Sequence, residues 1–211
     1  MNRLVVATTN KGKLAELAPM LRSLGYETCG LADFPDIPEA VEDGATFTEN
    51  AQKKASHYAK ATGMDALADD SGLCVEALDG APGVHSARFA GEEANDEQNN
   101  RALLLQLQGV ENRSAYFACV LCLVRHDKPA AVMEGRCEGH IAEAPRGTDG
   151  FGYDPLFIAN HPSAEGRTFA EAPSDLKRKL SHRAAALRAL RTMLEREIVG
   201  TSTGSRPGAS S

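Results

Sequence analysis

The sequence predicts a single α/β domain built on a mixed β-sheet. Short apolar, β-rich runs alternate with helical patterns in the first half of the chain, and a hairpin pattern and a last helix follow. Alternating strands and helices favour parallel pairing, whereas a hairpin adds antiparallel strands. No internal repeat or linker-like composition interrupts residues 1–199, and the Gly- and Ser-rich segment 200–211 is predicted to be a disordered tail.

The first half of the chain contains two strand patterns and two helix patterns. Residues 3–8 are apolar and β-rich, and the helix pattern that follows ends at Gly25. The face of this helix is defined by four leucines: Leu14, Leu17, Leu21 and Leu24. A capping box at residues 46–49 opens a second helix that is predicted to end near Gly63, and the run 66–70 is predicted to be a strand.

The second half begins with a helix pattern between Asn95, a suitable N-cap, and Gly109. Residues 114–138 hold two β-rich stretches separated by the turn-like sequence HDKPA, and they predict a long hairpin. A last helix is predicted from about His182 to Ile198, because this segment repeats apolar side chains on one side. The repeat consists of Leu187, Leu190, Leu194 and Ile198.

Composition excludes two classes of partner. The 29 acidic and 23 basic side chains give a formal charge of −6, which leaves no broad basic surface for a long nucleic acid. No apolar run is long enough to cross a bilayer, and the first residues lack a signal-peptide pattern. We therefore expect a cytoplasmic protein that binds neither nucleic acid nor membrane, although a small anion still fits a local basic pocket.

The five cysteines are predicted to be reduced and buried, since they lie mostly in apolar runs. Cys119 and Cys122 form a C-x-x-C pattern, which also occurs in zinc and redox sites. Both lie in a predicted strand, however, where residues three apart point to opposite faces. With no second Cys or His pair at ligand spacing, core packing is the favoured interpretation.

The segment TTNKGK, residues 8–13, follows the first strand and leads into a helix. Backbone N–H groups at the start of a helix, together with Lys11 and Lys13, suit the binding of phosphate oxygens. The segment is not a Walker P-loop, because Ala7 and Leu14 occupy positions where that motif needs Gly and Ser or Thr. A solvated turn is the alternative interpretation.

Two adjacent carboxylates, Asp69 and Asp70, end the strand pattern before Ser71 and Gly72. Neighbouring acids repel each other and are seldom buried without compensation, so a cation is expected nearby. Strand geometry points the two side chains to opposite faces. One of them, with a distant acid such as Glu42, would form the kind of oxygen site that Mg²⁺ prefers. Alternatively, both aspartates cap the Ser-Gly turn.

Two further polar clusters lie near the end of the chain. In GTDGFGYDPLF, residues 147–157, aromatic rings on a Gly-rich turn could stack on a planar base, and a neighbouring carboxylate could accept from its ring N–H. In LKRKLSHRAAAL, basic side chains gather at the start of the last predicted helix, where they could contact a phosphate or carbonyl oxygens. Aromatic packing beneath the loop and a solvated helix end are the alternatives. The side chains concerned are Phe151, Tyr153, Asp154, Lys177, His182 and Arg183.

Taken together, five motifs resemble the inosine triphosphate pyrophosphatase family of the bacterial type. They are VVATTNKGKLAEL, EDGATFTENAQKKA, ADDSGLCVEALDGAPGVHSARFAG, GFGYDPLF and SHRAAAL, and they span about residues 3–194 in the family's order. The resemblance implies a cytosolic homodimer that hydrolyses ITP, dITP and XTP to the monophosphate and pyrophosphate with Mg²⁺. It also implies an elongated mixed sheet flanked by helices, with two lobes around a central cleft.

The resemblance also implies the site residues. Asp70 matches the general base and a metal ligand, and Glu42 matches the second metal carboxylate, although Glu39 and Asp43 are close to it in sequence. Thr9 departs from the family pattern, because many relatives have Gly there. The positions that match substrate contacts are Thr8, Thr9, Asn10, Lys11, Gly12, Lys13, Lys54, Ser71, Phe151, Gly152, Tyr153, Asp154, Lys177, His182 and Arg183.

The implied mechanism separates phosphate chemistry from base selection. Asp70 would orient or deprotonate the attacking water, while His182 and Arg183 would donate to the 6-keto oxygen of the base. Two other functions remain open at this point. One is a Maf-like pyrophosphatase for other nucleotides, and the other is a nucleotide-binding module without catalysis.

Overall fold

The structure, a computed structural model, describes residues 2–202. Within this range the strands are β1 Asn2–Ala7, β2 Tyr26–Gly30, β3 Asp65–Val75, β4 Ser114–Arg125, β5 Lys128–Ile141 and β6 Phe157–Ala159. The α-helices are α1 Lys11–Ser23, α2 Phe47–Thr62, α3 Asp96–Gln106, α4 Ser174–Leu180 and α5 His182–Ser202. The predicted α/β class is confirmed.

All the strands join one mixed sheet in the order β2-β1-β3-β4-β5-β6. Strand β1 pairs in parallel with β2 and β3, and the remaining pairs are antiparallel. Strand β3 therefore lies where parallel pairing changes to antiparallel pairing. Buried cores lie on both faces of β3, with Leu67 on one face and Ala66 and Ala68 on the other. Neighbouring side chains of this strand therefore enter two different environments.

Helices cover both faces of the sheet, and the far end forms a second lobe. Helices α1 and α5 cover one face, with a core that includes Leu4, Leu17, Leu21, Leu121, Leu187 and Leu190. Helix α2 covers the other face, with a core that includes Val5, Ala51, Ala55, Ala66, Val120 and Cys122. A third cluster joins the far ends of β3, β4 and β5 to α3 and β6, with Leu73, Leu103, Phe117, Tyr153 and Phe157. Each fully buried leucine contributes about 2 kcal/mol to these cores.

Local capping signals place the helix starts. Thr46 caps α2 by accepting from the backbone N–H of Glu49, and the helix ends at Gly63, whose φ of 66° suits glycine. Asn95 and Gln98 form a reciprocal capping box at α3. These boundaries confirm the predictions for both helices.

Four elements differ from the sequence prediction. Strand β3 does not end at residue 70 before a Ser-Gly turn but continues to Val75, because residues 71–75 pair with β4. Strands β2 and β6 were not predicted, since β2 buries only Cys29 and β6 has 3 residues. The structure places Lys177 in a separate helix, α4, rather than at the start of the last helix. Ser181 has extended backbone angles and divides α4 from α5, although the segment contains no Gly or Pro that would signal a break.

The end of α5 and the state of the five cysteines bear on two of the sequence predictions. Helix α5 reaches Ser202, so it enters the first residues of the segment 200–211, and residues 203–211 lie outside the described range. All five cysteines are free and buried, as predicted. Cys119 and Cys122 lie in the cores on opposite faces of the sheet, which confirms core packing for the C-x-x-C pattern. In the described range no helix is long and apolar enough to span a membrane.

Candidate active site

Two adjoining cavities lie between the lobes and together contain most of the predicted site residues. The larger cavity has a volume of about 460 Å³ and is lined by Thr8, Thr9, Asn10, Lys13, Glu39, Glu42, Lys54, Asp70 and Ser71, among others. The smaller cavity, about 120 Å³, is lined by Asn10, Lys13, Ser71, Phe151, Gly152, Tyr153, Asp154, Lys177, His182 and Arg183, among others. Asn10, Lys13 and Ser71 line both cavities, so the two are continuous along these side chains.

The loop between β1 and α1 forms the wall shared by the cavities. Asn10 caps α1, with its side chain accepting from the backbone N–H of Lys13 at 3.0 Å. Thr8 in turn accepts from the backbone N–H of Asn10 at 3.1 Å. Lys13, in the first turn of α1, lines both cavities and brings a positive charge to their shared wall, which suits an anion. Lys11 lines neither cavity and is exposed to solvent.

Gly12 is required by a contact rather than by its backbone angles. A Cβ atom at this position would lie 2.6 Å from Cδ1 of Phe151, well inside van der Waals contact. The Phe151 ring also lies against two cations, with Lys177 Nζ 4.4 Å and the Arg183 guanidinium carbon 5.9 Å from its centroid. Gly12 thus lets Phe151 reach from the far lobe to helix α1 across the smaller cavity.

Asp70 points into the larger cavity on the α2 side of the sheet. Its Oδ2 atom is buried and has no hydrogen-bond partner in the range 2–202. Burial raises the pKa of Asp70, and the nearby charges of Lys54 and Lys13 only partly offset this effect. Glu42 lies close enough to raise the pKa of Asp70 further, and it accepts from Lys54 Nζ at 2.6 Å.

The acids around Glu42 differ in position. Glu39 and Glu42 both line the larger cavity, whereas Asp43 does not line it. Asp43 instead pairs at 2.6 Å with Lys53, and both side chains are largely exposed. Asp43 is therefore excluded as a partner of Asp70.

Asp69 points to the opposite face of β3 and is fully buried, as the two-residue period of a strand requires. Its Oδ1 accepts from Lys13 Nζ at 2.6 Å and from Ser71 Oγ at 2.9 Å. Its Oδ2 accepts from Arg183 Nε at 2.7 Å and from Cys119 Sγ at 3.3 Å. Burial acts to raise the pKa of Asp69, but the charges of Arg183 and Lys13 outweigh burial and hold it well below its usual range. The cation expected beside the aspartates is thus present on both faces.

His182 and Arg183, at the start of α5, form one wall of the smaller cavity. The His182 ring stacks on Phe117 with centroids 4.7 Å apart, and its buried Nδ1 has no hydrogen-bond partner among the described residues. Burial lowers the pKa of His182 well below its usual range, so the ring is neutral at pH 7. Arg183 is almost fully buried, and besides Asp69 it donates to Glu16 and, at 3.0 Å, to Ser71 Oγ.

The turn that carries Phe151 is held in place by Asp154. Its Oδ2 accepts from the backbone N–H of Phe151 at 2.8 Å and from Lys177 Nζ at 2.6 Å. Tyr153 is buried, and its hydroxyl donates to the carbonyl of Ser86 at 2.9 Å. The Tyr153 ring belongs to the third core cluster, so the alternative interpretation of aromatic packing beneath the loop is confirmed for this ring. Asp154 is committed to Lys177 and to the turn.

Comparison with known proteins assigns the chain to a family. The model of the Ham1 family matches residues 4–193. The chain belongs to the Ham1 family. Two curated relatives are both named dITP/XTP pyrophosphatase. The protein from Syntrophobacter fumaroxidans is 56% identical over 184 residues, with 87% of this chain and 78% of the relative covered. The protein from Geobacter sulfurreducens is 53% identical over 196 residues, with 92% and 97% covered.

Solved structures of Ham1 proteins share this fold. The Ham1 protein of Staphylococcus aureus superposes with a TM-score of 0.83 at 37% identity, and 93% of this chain and 100% of that chain are covered. The Ham1 protein of Coxiella burnetii gives the same TM-score and coverage at 42% identity. The resemblance to the inosine triphosphate pyrophosphatase family is thereby confirmed.

Two acids of this Ham1-family site were not among the predicted site residues. One is Asp69, the immediate neighbour of Asp70. The other is Glu16, whose carboxylate accepts from Arg183 and whose Oε1 lies 3.2 Å from Lys177 Nζ. Glu16 lies one turn beyond Lys13 on α1, and this helical spacing was the available signal. Its partners come from α4 and α5, and no local sequence pattern indicates contacts between segments so far apart.

Proposed function

We propose that the chain hydrolyses the noncanonical purine nucleotides ITP, dITP and XTP to the nucleoside monophosphate and pyrophosphate. The observation that carries this proposal is the joining of two chemically different cavities along Asn10, Lys13 and Ser71. One cavity contains carboxylates and lysines, and the other contains neutral and cationic donors beside an aromatic ring. A nucleotide needs this combination, because its phosphates are charged and its base is flat and polar. The names of the relatives support the same substrate class.

The larger cavity would bind the triphosphate. Lys13 and Lys54 line this cavity and supply positive charge for the phosphate oxygens. Each lysine is paired with a carboxylate, Lys13 with Asp69 and Lys54 with Glu42, and so is already oriented before substrate arrives. Such preorganised charges stabilise the negative charge that develops on the leaving pyrophosphate.

Asp70 and Glu42 would hold a Mg²⁺ ion. The fit rests on the buried Oδ2 of Asp70, which lacks a partner, and on a second carboxylate in the same cavity. No group of three or more His, Cys, Asp and Glu side chains suited to a metal occurs within residues 2–202. A site with two carboxylates suits Mg²⁺, which keeps several waters and shares oxygens with substrate phosphates. When bound, the ion offsets charge on the phosphate chain and makes a bound water more acidic.

Asp70 would also act as the general base. Asp70 lines the larger cavity, so its carboxylate can orient a water molecule towards the α-phosphorus and take up a proton from it. The raised pKa of Asp70 improves it as a proton acceptor relative to an ordinary carboxylate. The loss of pyrophosphate as a leaving group then yields the monophosphate.

The smaller cavity would recognise the purine base. Neutral His182, through its one ring N–H, and Arg183 would donate to the 6-keto oxygen of hypoxanthine or xanthine, and Phe151 offers a face for stacking. Adenine carries an amino group at this position, so it would leave two buried donors facing a donor. Sites built on such hydrogen bonds discriminate by about 10⁴-fold.

The deciding experiment is a nucleotide panel with pyrophosphate release as the readout. We expect ITP, dITP and XTP to be hydrolysed in Mg²⁺, ATP, dTTP and UTP to be slower by at least about 10²-fold, and EDTA to stop the reaction. A preference for UTP or dTTP would instead indicate a Maf-like activity. Binding of ITP without release of pyrophosphate would indicate a non-catalytic nucleotide-binding module.

The family resemblance further supports the proposal that the chain acts in the cytoplasm as a homodimer. Sedimentation equilibrium of the purified protein tests the second part directly, against a monomer mass of 22.4 kDa. A mass near the monomer value at micromolar concentration would contradict it.

A further inference from the structure

We propose that Asp69 is a positioning residue that holds the phosphate-side cation and the base-side cation of the site at the same time. This inference rests on the proposed function and deepens it. Asp69 lines neither cavity and its side chain has no solvent exposure, so it acts through Lys13 and Arg183 rather than on substrate.

The two oxygens of Asp69 divide the work between the two ends of the site. Oδ1 faces Lys13, which lines both cavities, and Oδ2 faces Arg183, which lines the smaller cavity. Ser71 closes the arrangement, because it donates to Oδ1 and accepts from Arg183 Nη2. One rigid carboxylate therefore fixes the distance between a side chain that contacts phosphate and a side chain that contacts the base.

The two cations depend on Asp69 to different degrees. Arg183 has a second carboxylate partner, Glu16, whereas Asp69 is the carboxylate in contact with Lys13. A lysine side chain has four rotatable bonds and loses much rotamer entropy when it is fixed, so its position depends on its partner. We expect removal of the Asp69 charge to affect phosphate binding more strongly than base binding, but to affect both.

Burial makes this arrangement specific. Two cations share one buried anion, and without the negative charge they would repel each other in a region of low dielectric. They would then move apart towards the cavities, where the substrate atoms must lie. A purely structural carboxylate would change only the free energy of unfolding.

The test uses Asp69→Asn, which keeps the shape and the acceptor oxygen but removes the charge. Binding of IMP and of inorganic pyrophosphate is measured by calorimetry in EDTA, below the melting temperature of the variant. We expect pyrophosphate affinity to fall about 30-fold and IMP affinity about 10-fold. In steady-state assays with Mg²⁺, the preference for ITP over ATP should also fall by about 10-fold.

Single-cation variants provide the comparison. Lys13→Met should weaken mainly pyrophosphate, and Arg183→Lys should weaken mainly IMP, whereas Asp69→Asn weakens both. Unchanged affinities of a folded Asp69→Asn protein for both probes, with only a lower melting temperature, would overturn the proposal.

A milder pair of variants covers the case in which Asp69→Asn does not fold. Cys119→Ser replaces a weak thiol donor to Oδ2 with a stronger hydroxyl donor, which competes with Arg183. Cys122→Ser is the matched control, since it puts a hydroxyl at another fully buried position of β4 but in the core on the opposite face. We expect IMP binding to be about threefold weaker for Cys119→Ser and unchanged for Cys122→Ser. Equal IMP affinities of the two variants would contradict the positioning role.

The two proposals fail in different ways. If the wild-type protein releases no pyrophosphate from ITP, the proposed function fails whatever Asp69 does. If the wild-type protein is active and the affinities of the Asp69 and Cys119 variants for IMP and pyrophosphate are unchanged, only the positioning role fails.

Discussion

Strand β3 carries two neighbouring aspartates that enter opposite environments. On the side of α1 and α5, Asp69 is fully buried, contacts Lys13, Ser71, Arg183 and Cys119, and has its pKa held well below the usual range. On the side of α2, Asp70 retains a buried oxygen without a partner in the described range, and burial raises its pKa.

The difference teaches that packing, rather than residue type, decides the chemistry of each carboxylate. A saturated anion with two cationic partners is a fixed point for building a site, whereas an acceptor without a partner is costly in the folded state and available for reaction. The protein therefore places a carboxylate with a full set of partners and a carboxylate with an unpartnered oxygen on the two faces of a single strand.

The largest expected effect tests this separation at Asp70. Asp70→Asn should lower kcat for ITP by about 10³-fold, because the amide cannot take up a proton. Its melting temperature should not fall, since the change removes a buried charge that lacks a full set of partners. Asp69→Asn, by contrast, leaves two cations without their shared partner and should cost about 3–5 kcal/mol of stability.

Steady-state kinetics and thermal melting of the two asparagine variants, side by side, provide the measurement. Equal losses of stability in the two proteins would break the distinction between the two faces. Turnover of Asp70→Asn close to the wild-type value would remove Asp70 from the proposed chemistry.

An intermediate effect is expected at Gly12, which belongs to the base side of the site. Gly12→Ala places a Cβ 2.6 Å from Phe151 Cδ1, so the ring must move away from Lys177 and Arg183. We expect KM for ITP and the dissociation constant of IMP to rise about 10-fold, since stacking and cation–π contacts are lost. Pyrophosphate affinity, measured by calorimetry, should stay within about twofold because Phe151 does not line the larger cavity.

The Gly12→Ala variant separates the two cavities, because IMP affinity should fall while pyrophosphate affinity should stay nearly unchanged. A loss of pyrophosphate affinity as large as the loss of IMP affinity would mean that the substitution disturbs the first turn of α1 and not Phe151 alone.

The smallest effect is expected at Glu197, a surface counterpart of Asp69. Its carboxylate also serves two cations, Arg125 at 2.7 Å and Lys128 at 2.5 Å, but its side chain is 31% exposed. Hydrogen bonds from Arg125 and Lys128 lower the pKa of Glu197 from its ordinary value of 4.5 to about 2. Because water screens this pair, Glu197→Gln should cost about 1 kcal/mol at pH 7 and leave ITP hydrolysis unchanged.

The pH dependence of that cost has a defined sign. A carboxylate whose pKa is lower in the folded state stabilises the protein above its unfolded pKa, and this stabilisation is lost as the pH falls towards the folded pKa. The difference in unfolding free energy between wild type and Glu197→Gln should therefore be constant above about pH 5 and shrink towards pH 2. Denaturant unfolding at several pH values measures it, and a difference that grows in acid would contradict the assignment.

The sequence predicts the parts of this protein that depend on local chemistry. Thr46 and Asn95 cap their helices because their partners lie three residues away, and the two aspartates diverge because a strand has a period of two. Strand β2 was not predicted, because its identity depends on parallel pairing with β1 rather than on its own weakly apolar sequence.

The rest of the site depends on contacts between distant segments. Arg183 meets Asp69 across 114 positions, and neither residue has a local signal for the other. Tyr153 is buried because its hydroxyl finds the carbonyl of Ser86, a partner 67 positions away. Tertiary packing thus determines which polar residues line the two cavities and which are buried in contacts within the protein.

Helix α5 supplies both Arg183, the cation proposed to contact the base, and the leucines that close one face of the sheet. During synthesis on a ribosome, Arg183 is added 114 residues after Asp69, a delay on the order of ten seconds. Until then the nascent polypeptide holds Asp69 and Lys13 without Arg183, the second cation that contacts Asp69. The proposed base recognition by Arg183 and the completion of the core are therefore acquired in the same late event of biosynthesis.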